Sequence, residues 1–195
     1  IIKLFKAPNY EEWMEIISNE CKQYADIFVD DEKCVSKNNA LSENIWVSFI
    51  CIMNSIPLWI IGKSGTSKSL ALNIVINKLM CHNSTNEKIT RCPPIIQQTF
   101  MCSSTTTTEA IMYQLEKIVD RSILYKDNYV IRILILENID HADKSLLKPL
   151  SCLHNIIDNG FTVSPGNSVP VQLIGLSNYK MDSAKLNRGI LLLRC

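Results

Sequence analysis

Apolar and polar positions along this chain fall into blocks whose period changes from helix to strand and back. Residues 10–25 set Trp13, Met14, Ile16, Ile17 and Cys21 among Glu11, Glu12, Glu15 and Glu20, a spacing that predicts an amphipathic helix. After a polar connector at 29–38, the block 40–53 is more apolar and predicts a second, more buried helix. The short run 56–61 ends at Gly62 and reads as a buried strand, and helical spacing resumes over 70–80. Residues 81–94 are polar and close on Pro93-Pro94, which predicts a surface loop. A strand is expected at 95–102, then a hydroxyl-rich loop in which Thr106 and Glu109 have capping-box spacing, then a helix at 110–123. Residues 129–136 give the strongest strand pattern, β-branched and continuous as a central parallel strand should be. A helix should start at Pro149 and stop at Asn159-Gly160, while Pro165-Gly166 predicts a turn or small hairpin within 161–169. A buried strand at 171–177, a short helix at 183–187 and an apolar run at 190–193, expected beside the 56–61 strand, complete the pattern.

Helices alternating with these strands imply an α/β protein, a three-layer αβα sandwich on a mainly parallel five-stranded sheet. Residues 1–38 then read as a helical preface and connector, and 39–195 as the core. Composition agrees: 47% hydrophobic and 20% charged residues suit a globular chain with a sizeable core. A net charge of +1 supplies no basic field to indicate a nucleic-acid partner. The run 45–61 has nearly the length of a membrane span, but Asn54, Ser55 and Pro57 interrupt it, so no span is expected. Eight dispersed cysteines without a C-x-x-C pair read as buried thiols in a reducing, cytoplasmic setting. The three histidines have no ligand spacing with them, which argues against zinc. The chain starts without methionine and stops abruptly, as expected for a piece of something longer.

Candidate chemistry concentrates in Gly62-Lys63-Ser64-Gly65-Thr66-Ser67-Lys68-Ser69-Leu70, a strand-to-helix junction with the layout of a phosphate-binding loop. Gly62 and Gly65 are expected to let the backbone turn so that amide N–H groups converge on phosphate oxygens. A helix starting near Ser67 aims its positive dipole end at the same place. Lys68 is expected to reach the β- and γ-phosphates and Ser69 to ligate magnesium. Ser67 stands where the motif normally has glycine, and a serine with helical backbone at a helix start would satisfy the position. In a parallel sheet ligands gather at the carboxyl ends of strands, which here carry Lys68 and Ser69, then Glu137-Asn138, then Asn178. Glu137 is expected to provide the second magnesium anchor, usually through water. Asn138 occupies the place of a water-polarising glutamate but cannot take a proton. Asp140 or Asp143 could substitute only if the following loop folds back.

Several separated blocks resemble the AAA+ modules of the mysterin family, giant RING-finger ATPases and ubiquitin ligases. They are Ala40-Leu41-Ser42-Glu43-Asn44, Ile56-Pro57-Leu58, the loop from Gly62 through Ala71, Cys102-Ser103, Pro149-Leu150 and the Asn159-Gly160 end. Ile174-Gly175-Leu176-Ser177-Asn178-Tyr179 and the block 182–190 extend the likeness, which covers residues 40–195. The family's loop also has serine before the lysine. The resemblance implies a P-loop NTPase fold of AAA+ type binding ATP and Mg²⁺, with Lys68 and Ser69 as the Walker A pair and Glu137 as the Walker B acid. It further implies Asn178 as the sensor and Arg188 as the arginine finger, with Arg194 the lesser choice. The family usually has Asp-Glu at 137–138, so the pair Glu137-Asn138 implies weak hydrolysis. The lid that follows the last strand in that family, and its RING, are not within these residues. Implied partners are neighbouring AAA+ modules and a protein substrate. A regulatory module that only holds nucleotide, and an active motor of MoxR or dynein-like type, stay open beside this reading.

Overall fold

The computed structural model describes residues 9–29, 35–80, 86–125, 129–164 and 166–194. Helix α1, Tyr10–Phe28, starts in a capping box: Asn9 and Glu12 each accept from the other's backbone N–H at 2.9 Å. It runs past the expected residue 25 because Ala25 and Phe28 are buried against the body of the fold. Asn38 caps α2, Asn39–Met53, accepting from Leu41 N at 2.8 Å. Strand β1, Leu58–Gly62, leads through the candidate loop into α3, Lys68–Met80.

The segment expected to be loop throughout contains one helical turn, α4, Glu87–Thr90, anchored by buried Ile89. Strand β2, Ile95–Met101, precedes α5, Thr108–Ser122. Its cap is Thr107, not Thr106: Thr107 Oγ1 accepts from Ala110 N at 3.3 Å, while Thr106 Oγ1 accepts from Ser103 N at 2.8 Å to close the loop before it. Strand β3, Ile131–Glu137, is followed directly by a short helix that the pattern does not reveal, α6, Ile139–Asp143. The helix expected at 149–158 divides into a 3₁₀ turn, Pro149–Ser151, and α7, Cys152–Asn159, which ends at Gly160 with φ +77°. Strands β4, Phe161–Ser164, and β5, Asn167–Val169, make the expected hairpin. Then come β6, Gln172–Ser177, α8, Ser183–Leu186, and β7, Ile190–Arg194.

The five long strands are parallel and lie in the order β2-β3-β6-β1-β7. Period-two alternation divides their side chains between two cores. Leu58, Ile60, Ile133, Ile135, Ile174 and Leu176 pack with α2 and α3, while Trp59, Ile61, Leu134, Leu136 and Leu173 pack with α5 and α7. Sheet and flanking helices thus form the three layers of an αβα sandwich. Helix α1 lies on α2, with Tyr24 and Phe28 rings 5.0 and 5.2 Å from the Phe49 ring centroid. Phe28 and Val29 belong to the same core as the sheet, so the preface packs onto the body of the fold.

No helix among the described residues is long and apolar enough to cross a membrane. The same residues contain no cluster of three or more His, Cys, Asp or Glu side chains placed to hold a metal. Cys51 and Cys102 are buried thiols, pushed up to about 11 and about 12 by desolvation. Cys34, Cys81, His82 and Cys195 lie outside the described residues.

Candidate functional site

The strand order decides what meets at the carboxyl edge of the sheet. With β6 between β1 and β3, the loop after β1, Asn178 after β6 and Glu137-Asn138 after β3 stand side by side. Together they line a cavity of about 440 Å³, formed by Ser64–Leu70 with Glu137, Asn138, Leu176 and Asn178. Gly62 and Lys63 are not in its lining. Lys63 contributes through its carbonyl, which accepts from Thr66 Oγ1 and from Lys68 Nζ, each at 2.9 Å.

The two loop glycines serve different needs. Gly65 has φ +88° and nothing within 4 Å of where a Cβ would stand, so its requirement is conformational. Gly62 ends β1 without a positive φ, and a Cβ there would come within 2.6 Å of Arg194 Cβ and 2.9 Å of Arg194 O. Its requirement is close approach of β7, which corrects the expectation of a tight turn at that position. The helical backbone expected at Ser67 is also corrected. Its φ is +59°, left-handed, and α3 begins only at the next residue. A left-handed L-residue costs roughly 1–2 kcal/mol, a cost glycine does not incur.

Lys68 is only 8% exposed. Its ammonium donates to the carbonyls of Gly62 and Lys63 and, at 3.2 Å, to Asn178 Oδ1. Burial lowers its pKa from the ordinary lysine value, and the Asp140 carboxylate partly offsets this. All three acceptors are neutral, so the positive charge is held at the cavity with no contacting anion among the described residues. Exposed Ser69 and half-buried Glu137 line the same space.

Asn138 has left-handed backbone, φ 51° and ψ 41°, and so starts α6 abruptly. That turn carries Asp140 inward to 1% exposure, where it accepts from Ser177 Oγ at 3.2 Å and from Asn178 N at 3.3 Å. Asp140 thus lies behind Asn178, outside the cavity lining. Asp143 is farther along, bound by Lys185 and accepting from Asp182 N at 3.2 Å.

Of the two arginines, Arg188 precedes β7 and is ion-paired with Asp158, away from the cavity. Arg194 ends β7 opposite Gly62 and binds Glu43, with Nε donating to Asn44 Oδ1 at 2.7 Å. Asn44 in turn donates from Nδ2 to Thr66 O at 3.0 Å, although it is fully buried. The sequence pattern assigns Asn44 no contact. A buried asparagine in an apolar helix was the available signal.

The sequence matches the family described as the RNF213 AAA domain over residues 34–195. It is 30% identical over 192 residues to the E3 ubiquitin-protein ligase rnf213-beta of Danio rerio, covering 95% of this chain and 4% of that protein. Against the E3 ubiquitin-protein ligase RNF213 of Homo sapiens it is 30% identical over 199 residues, covering 100% of this chain and 4% of the relative. Among solved structures, PCH-2 of C. elegans aligns at a TM-score of 0.44 with 14% identity, over 87% of this chain and 45% of that one. The chain spans about 4% of the length of these two curated relatives. With the family matched from residue 34 to the last, and relatives of the same name aligning along the chain, it belongs to the RNF213 (mysterin) family of AAA domains.

Proposed function

We propose that this AAA module binds ATP with magnesium at the cavity between β1 and α3 and turns it over slowly. The observation that carries the reading is the buried Lys68 ammonium, held among neutral acceptors beside a cavity at a helix N-terminus. The surrounding groups fit a polyphosphate with its metal: loop N–H donors and a lysine for the anion, a hydroxyl and a carboxylate for the cation. Lys68 grips the β- and γ-phosphates, Ser69 and Glu137 hold magnesium, and Asn178 orients the terminal phosphate or the water. Bound magnesium supplies neutralisation of phosphate charge. With a nucleotide bound, the Lys68 ammonium, now donating to Gly62, Lys63 and Asn178, would donate to phosphate oxygens as well or instead.

Asn138 keeps turnover low, because an amide cannot accept the proton of an attacking water. Asp140, occupied with Ser177 and Asn178, serves to position Asn178. As part of a mysterin-like ubiquitin ligase, the module works against neighbouring AAA+ modules and on a protein substrate in the cytoplasm, with ubiquitin transfer located elsewhere.

Titration calorimetry with ATP and Mg²⁺ on the wild type and Lys68→Ala tests the binding. A lost hydrogen bond to a charged group is worth about 1.5–3 kcal/mol, roughly 10- to 150-fold in affinity. Equal affinity in the two proteins would remove the assignment.

A further inference from the structure

The loop at this site contains a step that its own sequence disfavours. Ser67 adopts φ +59°, backbone that Gly65, two residues earlier, takes without a Cβ penalty and that a serine holds at a cost. A hydrogen bond from outside the loop to the Thr66–Ser67 peptide would offset that cost. Such a hold is present among the described residues: Asn44 Nδ2, from α2, donates to Thr66 O at 3.0 Å.

The orientation of that amide is determined by its other partner. Arg194 offers only donors, so the group facing its Nε at 2.7 Å is the Asn44 oxygen, and the NH₂ must face Thr66. Arg194 is fixed in its turn by Glu43, the neighbour of Asn44. Asn44 is 0% exposed, so losing a partner costs desolvation as well as the bond. Across a trans peptide the C=O and the next N–H point in opposite directions. Drawing Thr66 O toward α2 therefore turns the Ser67 N–H away from α2, and Ser67 lines the cavity.

We propose that Asn44, oriented by Arg194, is a positioning residue that holds the phosphate loop in its anion-binding shape in place of a glycine at 67. The inference rests on the nucleotide reading of the cavity. It makes the end of β7 and the middle of α2 parts of the nucleotide site, although neither contacts the cavity. The cost of the left-handed serine is borne by a hydrogen bond from outside the loop, and removing that bond should matter only while residue 67 is a serine.

The test is a cycle of three variants in this chain, read by titration with ATP and Mg²⁺. Asn44→Asp keeps size and an acceptor for Arg194 but replaces the donor to Thr66 O with an oxygen. It should weaken ATP binding about 10-fold, the scale of one buried hydrogen bond. Ser67→Gly added to Asn44→Asp should restore most of the loss, measured against Ser67→Gly alone, since glycine holds the left-handed step unaided. Thermal unfolding without nucleotide accompanies each variant. A loss that Ser67→Gly does not recover would mean that Asn44 only supports packing, and overturns the proposal. Unchanged affinity in Asn44→Asp, with a wild type that binds ATP, overturns it as well and leaves the nucleotide reading standing. A wild type that binds no ATP overturns both.

Discussion

Asn138, between β3 and α6, lies in the left-handed region, which asparagine tolerates better than most L-residues because its short polar side chain can bond locally. A glutamate there regains a general base but must hold the same backbone. Asn138→Glu should raise ATP turnover toward the 10²–10⁴-fold typical of general-base assistance, while lowering stability by about 1 kcal/mol. Phosphate release, measured in a chain extended through the following segment, and urea unfolding check the two halves. Brisk turnover by the wild type would mean that another acid serves. The other chemical groups of the candidate site were legible because a motif and a rule about strand ends place them: Lys68, Ser69, Glu137 and Asn178 all reach one cavity. Gly62 and Ser67 were misread for a physical reason. A glycine in a motif does not show whether it is there for φ or for space, and here Arg194 against Gly62 requires the space. Asn44 was not legible, because its partners Thr66 and Arg194 lie far along the chain.

Among the elements, those with enough length to show a period were readable, whereas one-turn helices were not. Helices α4 and α6 have four and five residues, too few for an apolar stripe to repeat. Each is held by tertiary burial, of Ile89 in one and of Ile139, Asp140 and Ala142 in the other. The sheet order was legible only at β7, because adjacency of β6 to β1 depends on crossovers that no local pattern encodes. Helix α1 was readable as an element, but its attachment was not. Tyr24, Phe28 and Phe49 join α1 to α2, and α2 supplies Asn44 to the loop. Phe49→Ala should therefore cost about 3–5 kcal/mol, the usual range for emptying a buried aromatic site, measured by denaturant unfolding. A cost under about 1 kcal/mol would mean that α1 is a loose attachment.

For the whole molecule, the parallel pairing of β1 with β7 sets the residues before β7 and the phosphate loop at opposite ends of β1. Leu58 pairs with Ile190 at one end and Gly62 with Arg194 at the other. Arg188 lies just before β7, where Ile190 N donates to Pro57 O at 2.8 Å, so it stands at the entry of β1. The phosphate loop leaves the exit of that strand, five residues away at about 3.3 Å each, or roughly 16 Å. A side chain at Arg188 is therefore poorly placed for its own cavity, and on the proposed reading it would serve a docked neighbour. Its ion pair with Asp158 is solvent-accessible on both sides, of the kind worth about 0–1 kcal/mol, and so releasable. Arg194 is the poorer finger, since Glu43 and Asn44 hold it inside the module. Arg188→Ala should leave ATP affinity of this module unchanged. It should lower turnover of whichever module docks against this edge by about 10³–10⁵-fold, measured in the full-length protein. Asp158→Ala, which frees the arginine without removing it, should leave that turnover intact. Equal losses in the two variants would show that the pair supports local structure, and lost ATP binding in Arg188→Ala alone would show that the arginine acts within its own module.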